Sequence, residues 1–330
     1  MDNMIPIRFA GTGHYLPQEV LGNDFFEKIL DTSDEWIATR TGIRARRRAG
    51  KDENTSTLAS IAGQNAIENA GMSPEDIDLI IVATATGDHP FPSTATFVQD
   101  RIGCKNAAAF DVGAACSGFL HATVIASSFI HARTYQNILV IGAETLTRFL
   151  DFQERSVCIL MGDGAGAVVM SKADREGQGI LHHTLGCDGS KAKHIWVPAG
   201  GSALPASQAT VAERLHYMRM RGRDVFKFAV LKMANLIDEA MEKTGLCPDD
   251  LTMVIPHQSN LRIIEAARER MGLAPEKVAV NIDRYGNTSA ASVPITFDEA
   301  CRAGKLKPGD KVMMLAIGAG LTWGSMVIEL

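Results

Sequence analysis

Two stretches of the chain carry one pattern of apolar and polar positions. Residues 66–84, AIENAGMSPEDIDLIIVAT, align without a gap on residues 240–258, AMEKTGLCPDDLTMVIPHQ. In each, helically spaced apolar residues stop at a glycine. A proline–acid turn follows, and a short apolar run closes the unit, which predicts helix, turn and buried strand. Identities fall at Ala66/Ala240, Glu68/Glu242, Gly71/Gly245, Pro74/Pro248 and Asp76/Asp250. The same offset lays ILVI (138–141) on VMML (312–315). The pattern predicts two similar α/β halves in which strands alternate with helices. The polar, glycine-bearing stretch SKADREGQG (171–179) marks the join, giving halves of 1–178 and 179–330.

Three strand-to-helix junctions in this frame carry reactive or polar residues. In AAFDVGAACSGF (108–119) an apolar run stops at Gly113 and Cys116 follows. The segment CSGFLHATVIASSFIHA (116–132) is apolar on nearly every side, as a helix inside a large domain would be. At the start of such a helix, unpaired N–H groups and the helix dipole favour a thiolate. The small neighbours Ala114, Ala115, Ser117 and Gly118 leave room for a substrate. In MVIPHQSNLR (253–262) an apolar strand ends at Pro256 and His257 follows, in the place of Ala83 in the other copy. In VNIDRYGNTSAASVP (280–294) a further short strand leads to Asn287, in a glycine–asparagine turn before a small-residue helix. A lone buried cysteine is usually inert. A cysteine, a histidine and an amide at strand ends, where α/β folds collect chemistry, point to a thiol nucleophile.

Composition narrows the classes. Apolar residues make up 46% and charged residues 22% of the 330, as in an ordinary globular protein. A net charge of -5 argues against general nucleic-acid binding. No apolar run reaches the length of a membrane span, and MDNMIPIRFAG lacks the pattern of a signal peptide, so a cytoplasmic protein is expected. The six cysteines include no C-x-x-C pair, which favours reduced thiols over disulfides or a zinc site. GDGAGA (162–167) is not a G-x-G-x-x-G fingerprint and no P-loop lysine follows it. A tight strand connection is the expected reading.

The motifs DEWIATRTGIRARR (34–47), AACSGF (114–119), GDGAGAVV (162–169), GRDVFKFAV (222–230), PHQSNLR (256–262), YGNTSAASVP (285–294) and GAGLTWGS (318–325) together resemble the β-ketoacyl-acyl carrier protein synthase III family. The resemblance implies a thiolase-like fold of duplicated α/β halves in a five-layered αβαβα arrangement. It implies an acyltransferase that condenses an acyl-CoA primer with malonyl-acyl carrier protein and begins type II fatty acid synthesis, as a homodimer with no metal or redox cofactor. A synthase III homologue of secondary metabolism, making a polyketide or quinolone precursor, is the alternative.

The family's roles carry over position by position. Cys116 is the expected nucleophile, completed by His257 and Asn287, with the N–H groups of Cys116 and Ala319 as oxyanion hole. The family usually has glycine where Ala319 stands. Trp36 and Arg155 match residues that sandwich the adenine of coenzyme A, Arg40 one that holds its phosphates, and Asn260 a pantetheine contact. Phe91 matches a residue that shapes the acyl pocket across a dimer interface. Arg223 stands where some members carry asparagine. The segment 182–207 borders the expected coenzyme groove.

Acyl carrier proteins are acidic, so a net-negative chain needs a local basic surface to meet one. NLRIIEAARERMG (260–272) reads as a helix with Ile263, Ile264, Ala267 and Met271 inward, Arg262 and Arg270 outward and Arg268 at the flank. With Lys227, these arginines are the candidate docking residues.

Overall fold

The computed structural model describes residues 5–173, 175 and 177–330. Its first sheet has five strands, in the order Ile7–Tyr15, Gly164–Lys172, Asn137–Glu144, Leu79–Ala83, Ala108–Val112. Two pairings follow the predicted apolar runs: Leu79–Ala83 lies parallel to both Asn137–Glu144 and Ala108–Val112. The second sheet has four strands, ordered Gly179–Cys187, Thr322–Glu329, Lys311–Gly318, Met253–Pro256. Where a fifth would lie, a single parallel bridge joins Val254 to Val278.

Helices set the layers. Thr55–Asn69 covers the outer face of the first sheet, and Gly222–Thr244 covers the outer face of the second. Gly118–His131 and Ser292–Arg302 pack between the two sheets. Their side chains share one inner core with both sheets, including Phe119, Phe297, Ile81, Val140, Met314 and Met326. The order is helix, sheet, helix, sheet, helix.

The repeat reappears as geometry. Gly71 and Gly245 both end their helices with a positive φ, at 68° and 69°. Pro74–Asp76 and Pro248–Asp250 are both single 3₁₀ turns with the backbone N–H ahead of the proline bonded to the last aspartate. Of the segment 171–179, in which the join is expected, residues 174 and 176 lie outside the described residues.

Three local expectations are corrected. The helix after Val112 begins at Gly118, and Cys116 sits before it in the 3₁₀ turn Ala115–Ser117. The expected strand before Asn287 is a one-turn helix, Ile282–Tyr285. The Gln258 carboxamide oxygen accepts from the N–H groups of Asn281 and Ile282, so those donors are unavailable to a sheet partner. GDGAGA opens a strand rather than connecting two. A Cβ at Gly166 would lie 2.5 Å from the Ile295 nitrogen, so glycine there lets the central helix touch the sheet. No helix among the described residues is long and apolar enough to cross a membrane.

Candidate active site

Cys116, His257 and Asn287 line one cavity of about 360 Å³ whose walls are mainly apolar. Each is set by backbone that the sequence dictates locally. Ala115 holds φ 45°, a conformation an L-residue adopts only under constraint, and it turns Cys116 into the cavity. The end of strand Lys311–Gly318 closes on that turn. A Cβ at Gly318 would stand 2.8 Å from the Cys116 nitrogen and 3.0 Å from the Ala114 oxygen. This approach brings the Ala319 N–H to the Cys116 sulfur, beside Cys116's own N–H.

His257 extends the strand Met253–Pro256 by one residue, its N–H donating to the Leu315 oxygen at 2.7 Å. Gln258 locks the next position: its N–H donates to Ser292 Oγ at 2.7 Å and its Nε2 to the Pro256 oxygen at 2.8 Å. Asn287 is mounted on the other half of the chain. Its N–H donates to the Leu160 oxygen and its carbonyl accepts from Gly162. Its Oδ1 accepts from the Ser289 N–H at 2.8 Å, which leaves the side-chain NH2 for the cavity.

The electrostatics differ from what helix position suggests. Burial pushes the Cys116 thiol up to about 11, although the Ser289 hydroxyl and the two N–H groups pull the other way. The dipole expectation fails because desolvation of the charged form outweighs these donors. Cys116 as a residue is half-buried and lines the cavity. His257 is 1% exposed, and neither ring nitrogen has a hydrogen-bond partner among the described residues. Burial holds its pKa down to about 3, so the ring is neutral at physiological pH.

The remaining predicted residues divide. Ala319 and Asn260 line the cavity. Asn260 is already engaged: its Oδ1 caps helix Leu261–Met271 through the Arg262 N–H, and its Nδ2 donates to the Arg40 oxygen. Trp36, Arg40 and Arg155 gather at one surface spot, outside the cavity lining. The Arg155 guanidinium lies 4.6 Å from the Trp36 ring centroid and Arg40 5.8 Å from it. Adenine between Trp36 and Arg155 therefore requires that pair to open. Phe91 is 84% exposed and does not line this chain's cavity.

On the second half, Ile263, Ile264, Ala267 and Met271 are buried as expected. Arg262 stands over Phe226, a cavity-wall residue, at 5.6 Å. Arg268 is tied to Glu265 and the Leu273 oxygen, and Arg270 to Asp238. Lys227 and Arg223 are exposed. Within 182–207, Ile195, Trp196 and Val197 form part of the cavity wall. Among the described residues no three His, Cys, Asp or Glu side chains gather as a metal centre needs.

Sequence reasoning missed two residues. Gln258 is the anchor described above. Glu144 is fully buried at the end of strand Asn137–Glu144 and lies behind Ser289. Its signal was a carboxylate closing the apolar run ILVIGA.

Comparison with known proteins decides the family. Residues 110–189 match the 3-oxoacyl-[acyl-carrier-protein (ACP)] synthase III family, and residues 241–330 its C-terminal region. The chain is 53% identical over 329 residues to a beta-ketoacyl-[acyl-carrier-protein] synthase III of Caldanaerobacter subterraneus, covering 100% of this chain and 99% of that one. The chain belongs to the synthase III family. The crystal structure of the Aquifex aeolicus 3-oxoacyl-[acyl-carrier-protein] synthase III superposes with a TM-score of 0.90 at 46% identity, over 99% of this chain and 100% of that one. A priming β-ketosynthase from the R1128 polyketide biosynthetic pathway superposes at 0.91 with 33% identity, over 100% and 98%. The layered arrangement described above is thus the thiolase-like fold of these synthases, and the chain is an acyl-transferring condensing enzyme.

Proposed function

We propose that this synthase III condenses a short acyl-CoA primer with malonyl-acyl carrier protein, releasing carbon dioxide and giving 3-oxoacyl-acyl carrier protein. The observation that carries the reading is the convergence of Cys116, His257 and Asn287 on one apolar cavity. The Cys116 sulfur attacks the primer thioester and displaces coenzyme A. A thiolate and a thioester are matched for this exchange, since the leaving group has a similar pKa. The Cys116 and Ala319 N–H groups hold the oxyanion, each such donor typically contributing about 3–4 kcal/mol to the transition state. Malonyl then loses carbon dioxide, and the enolate oxygen takes hydrogen bonds from His257 and the Asn287 NH2. A ring held neutral, with its pKa near 3, donates without protonating the carbanion. The carbanion attacks the acyl-Cys116 carbonyl.

Trp36, Arg40 and Arg155 take the nucleotide end of coenzyme A, Asn260 lies beside its pantetheine, and Arg262, Arg268, Arg270 and Lys227 meet the carrier protein. The division at 178/179 is supported by the matching strand orders of the two sheets. A homodimer in which Phe91 reaches the partner's acyl pocket is supported by its exposure and by the partly exposed edge strand Ala108–Val112. The resemblance to the polyketide priming synthase favours a second reading, a primer other than acetyl feeding secondary metabolism. Greater identity to the Caldanaerobacter synthase puts fatty acid initiation first.

Incubation with acetyl-CoA, read by intact-protein mass, is expected to give one acetyl adduct that Cys116→Ala loses. No adduct, or one on another cysteine, overturns the reading. A panel of acyl-CoA primers with malonyl-acyl carrier protein separates the two pathways.

A further inference from the structure

Among the described residues, Glu144 is a site-adjacent carboxyl for which the reaction described above has no use. It is fully buried. Its Oε2 accepts from Thr86 Oγ1 at 2.6 Å, and both oxygens accept from the Ala85 N–H at 3.2 Å. Its Oε1 accepts from Ser289 Oγ at 2.9 Å. Ser289 lines the same cavity as Cys116, and its hydroxyl pulls the thiol pKa down against burial. Cys116 is the titratable side chain that faces the carboxyl. The other groups turned on it are the hydroxyls of Thr84, Thr86 and Ser289 and the N–H groups of Ala85 and Ala290. A buried carboxylate without a cation is expensive, and burial raises its pKa to about 7 despite these donors. The Ser289 backbone that completes the line is held at φ 49°.

We infer that Glu144, acting through the Ser289 hydroxyl, receives the Cys116 proton when the thiol attacks the primer and returns it when the thiol is regenerated. The inference rests on the condensation proposed above. Glu144 touches no substrate and is a positioning residue for the proton. In acylation the S–H proton passes to Ser289 Oγ while the Ser289 proton passes to Glu144 Oε1. The sulfur bonds to the acyl carbon, the bond to coenzyme A sulfur breaks, and the departing thiolate takes a proton from water. In condensation the carbon–sulfur bond to Cys116 breaks as the new carbon–carbon bond forms. The Cys116 thiolate then recovers its proton from Glu144 along the same line. Over both steps one proton is consumed, the number required when malonyl loses carbon dioxide and coenzyme A leaves as a thiol.

His257, whose ring nitrogens have no hydrogen-bond partner among the described residues and whose pKa burial holds down to about 3, is a poor acceptor for a thiol proton. The test is the pH profile of Cys116 alkylation by iodoacetamide, beside acetyl transfer from acetyl-CoA. In the wild type the alkylation rate is expected to step up near neutral pH, as Glu144 becomes able to accept, well below the titration of the thiol itself. Glu144→Gln and Ser289→Ala are each expected to lose the step and to slow acetyl transfer at pH 7.5 at least tenfold. Thr86→Val, which removes a donor to the carboxylate, is expected to move the step to higher pH. A purely structural role would change none of these inflections. Absence of a neutral step in the wild type overturns the inference. So does its survival, with acetyl transfer within twofold, in whichever of the two relay variants is folded. A wild type that takes no acetyl group refutes the synthase reading instead, and the iodoacetamide profile still decides the relay.

Discussion

The turn Ala115–Ser117 and the turn Ser289–Ala291 occupy equivalent places in the two halves, separated by the same offset as the repeated helices. Both are 3₁₀ turns, both begin on a non-glycine residue with positive φ (45° and 49°), and both lead into a central helix. Their chemistry differs: the first presents Cys116, where the second has the buried Ala290. The ends of strands Leu79–Ala83 and Met253–Pro256 differ in the opposite sense, with Ala83 in the first half and His257 in the second. A shared backbone thus supports an asymmetric division, with the thiol on one half and the neutral donors on the other. If the two half-reactions follow that division, substitutions on each half damage different steps.

The sharpest break is His257→Ala or Asn287→Ala. Each is expected to lower malonyl decarboxylation and condensation by roughly 10²–10³, the usual loss of an oxyanion donor. Acetyl transfer to Cys116, read by intact mass, is expected to persist. Equal loss of both steps would erase the division.

Acid stability gives the next effect. Because its folded pKa is depressed, His257 contributes stability that is present above its ordinary value of 6.5 and lost as pH falls toward 3. At pH 5 the cost of keeping the ring neutral is about 2 kcal/mol on the linkage relation. The difference in Tm between His257→Gln and the wild type is therefore expected to move in the variant's favour between pH 7 and pH 5, read by thermal unfolding at each pH. A constant difference would mean the ring is not sequestered.

Trp36→Ala tests the first half alone. Base stacking on an aromatic face contributes on the order of 1–3 kcal/mol. Since Arg155 already covers the ring, the lower part of that range is expected, roughly a tenfold rise in KM for acyl-CoA. An acyl-pantetheine primer, lacking adenine, is expected to be affected far less.

Arg262→Glu, on the second half, is expected to raise the KM for malonyl-acyl carrier protein several-fold at low salt and less at high salt, where screening weakens the contact. Priming by acyl-CoA is expected to stay near wild type.

Much of this frame was legible because the repeat is written in turn chemistry. Gly71 and Gly245 must both adopt positive φ, and Pro74 and Pro248 each open a turn closed by an aspartate, so local rules fix both copies. Cys116 and His257 were legible as residues that follow apolar strands, Asn287 as part of a glycine–asparagine turn, and the inward face of Leu261–Met271 as a helical stripe. What escaped depends on distant neighbours. The strand expected before Asn287 gave way to a helix because Gln258 claims its N–H groups. The direction of the Cys116 shift follows from tertiary burial, which no local dipole argument contains. Glu144 closes an apolar strand, and its chemistry exists only because Ser289 is folded against it from the other half.

The two bonds that mount Asn287 on Leu160 and Gly162 also bear on how this enzyme can be taken apart. A donor of the second half hangs on backbone of the first, while the thiol stands on the first half beneath Ala319 of the second. Chains cut between Lys172 and Gly179 would each carry a sheet of their own, but neither fragment would hold a finished centre. Co-expressed as separate fragments, they would recover condensation only on reassembly, making turnover itself a reporter of fragment complementation.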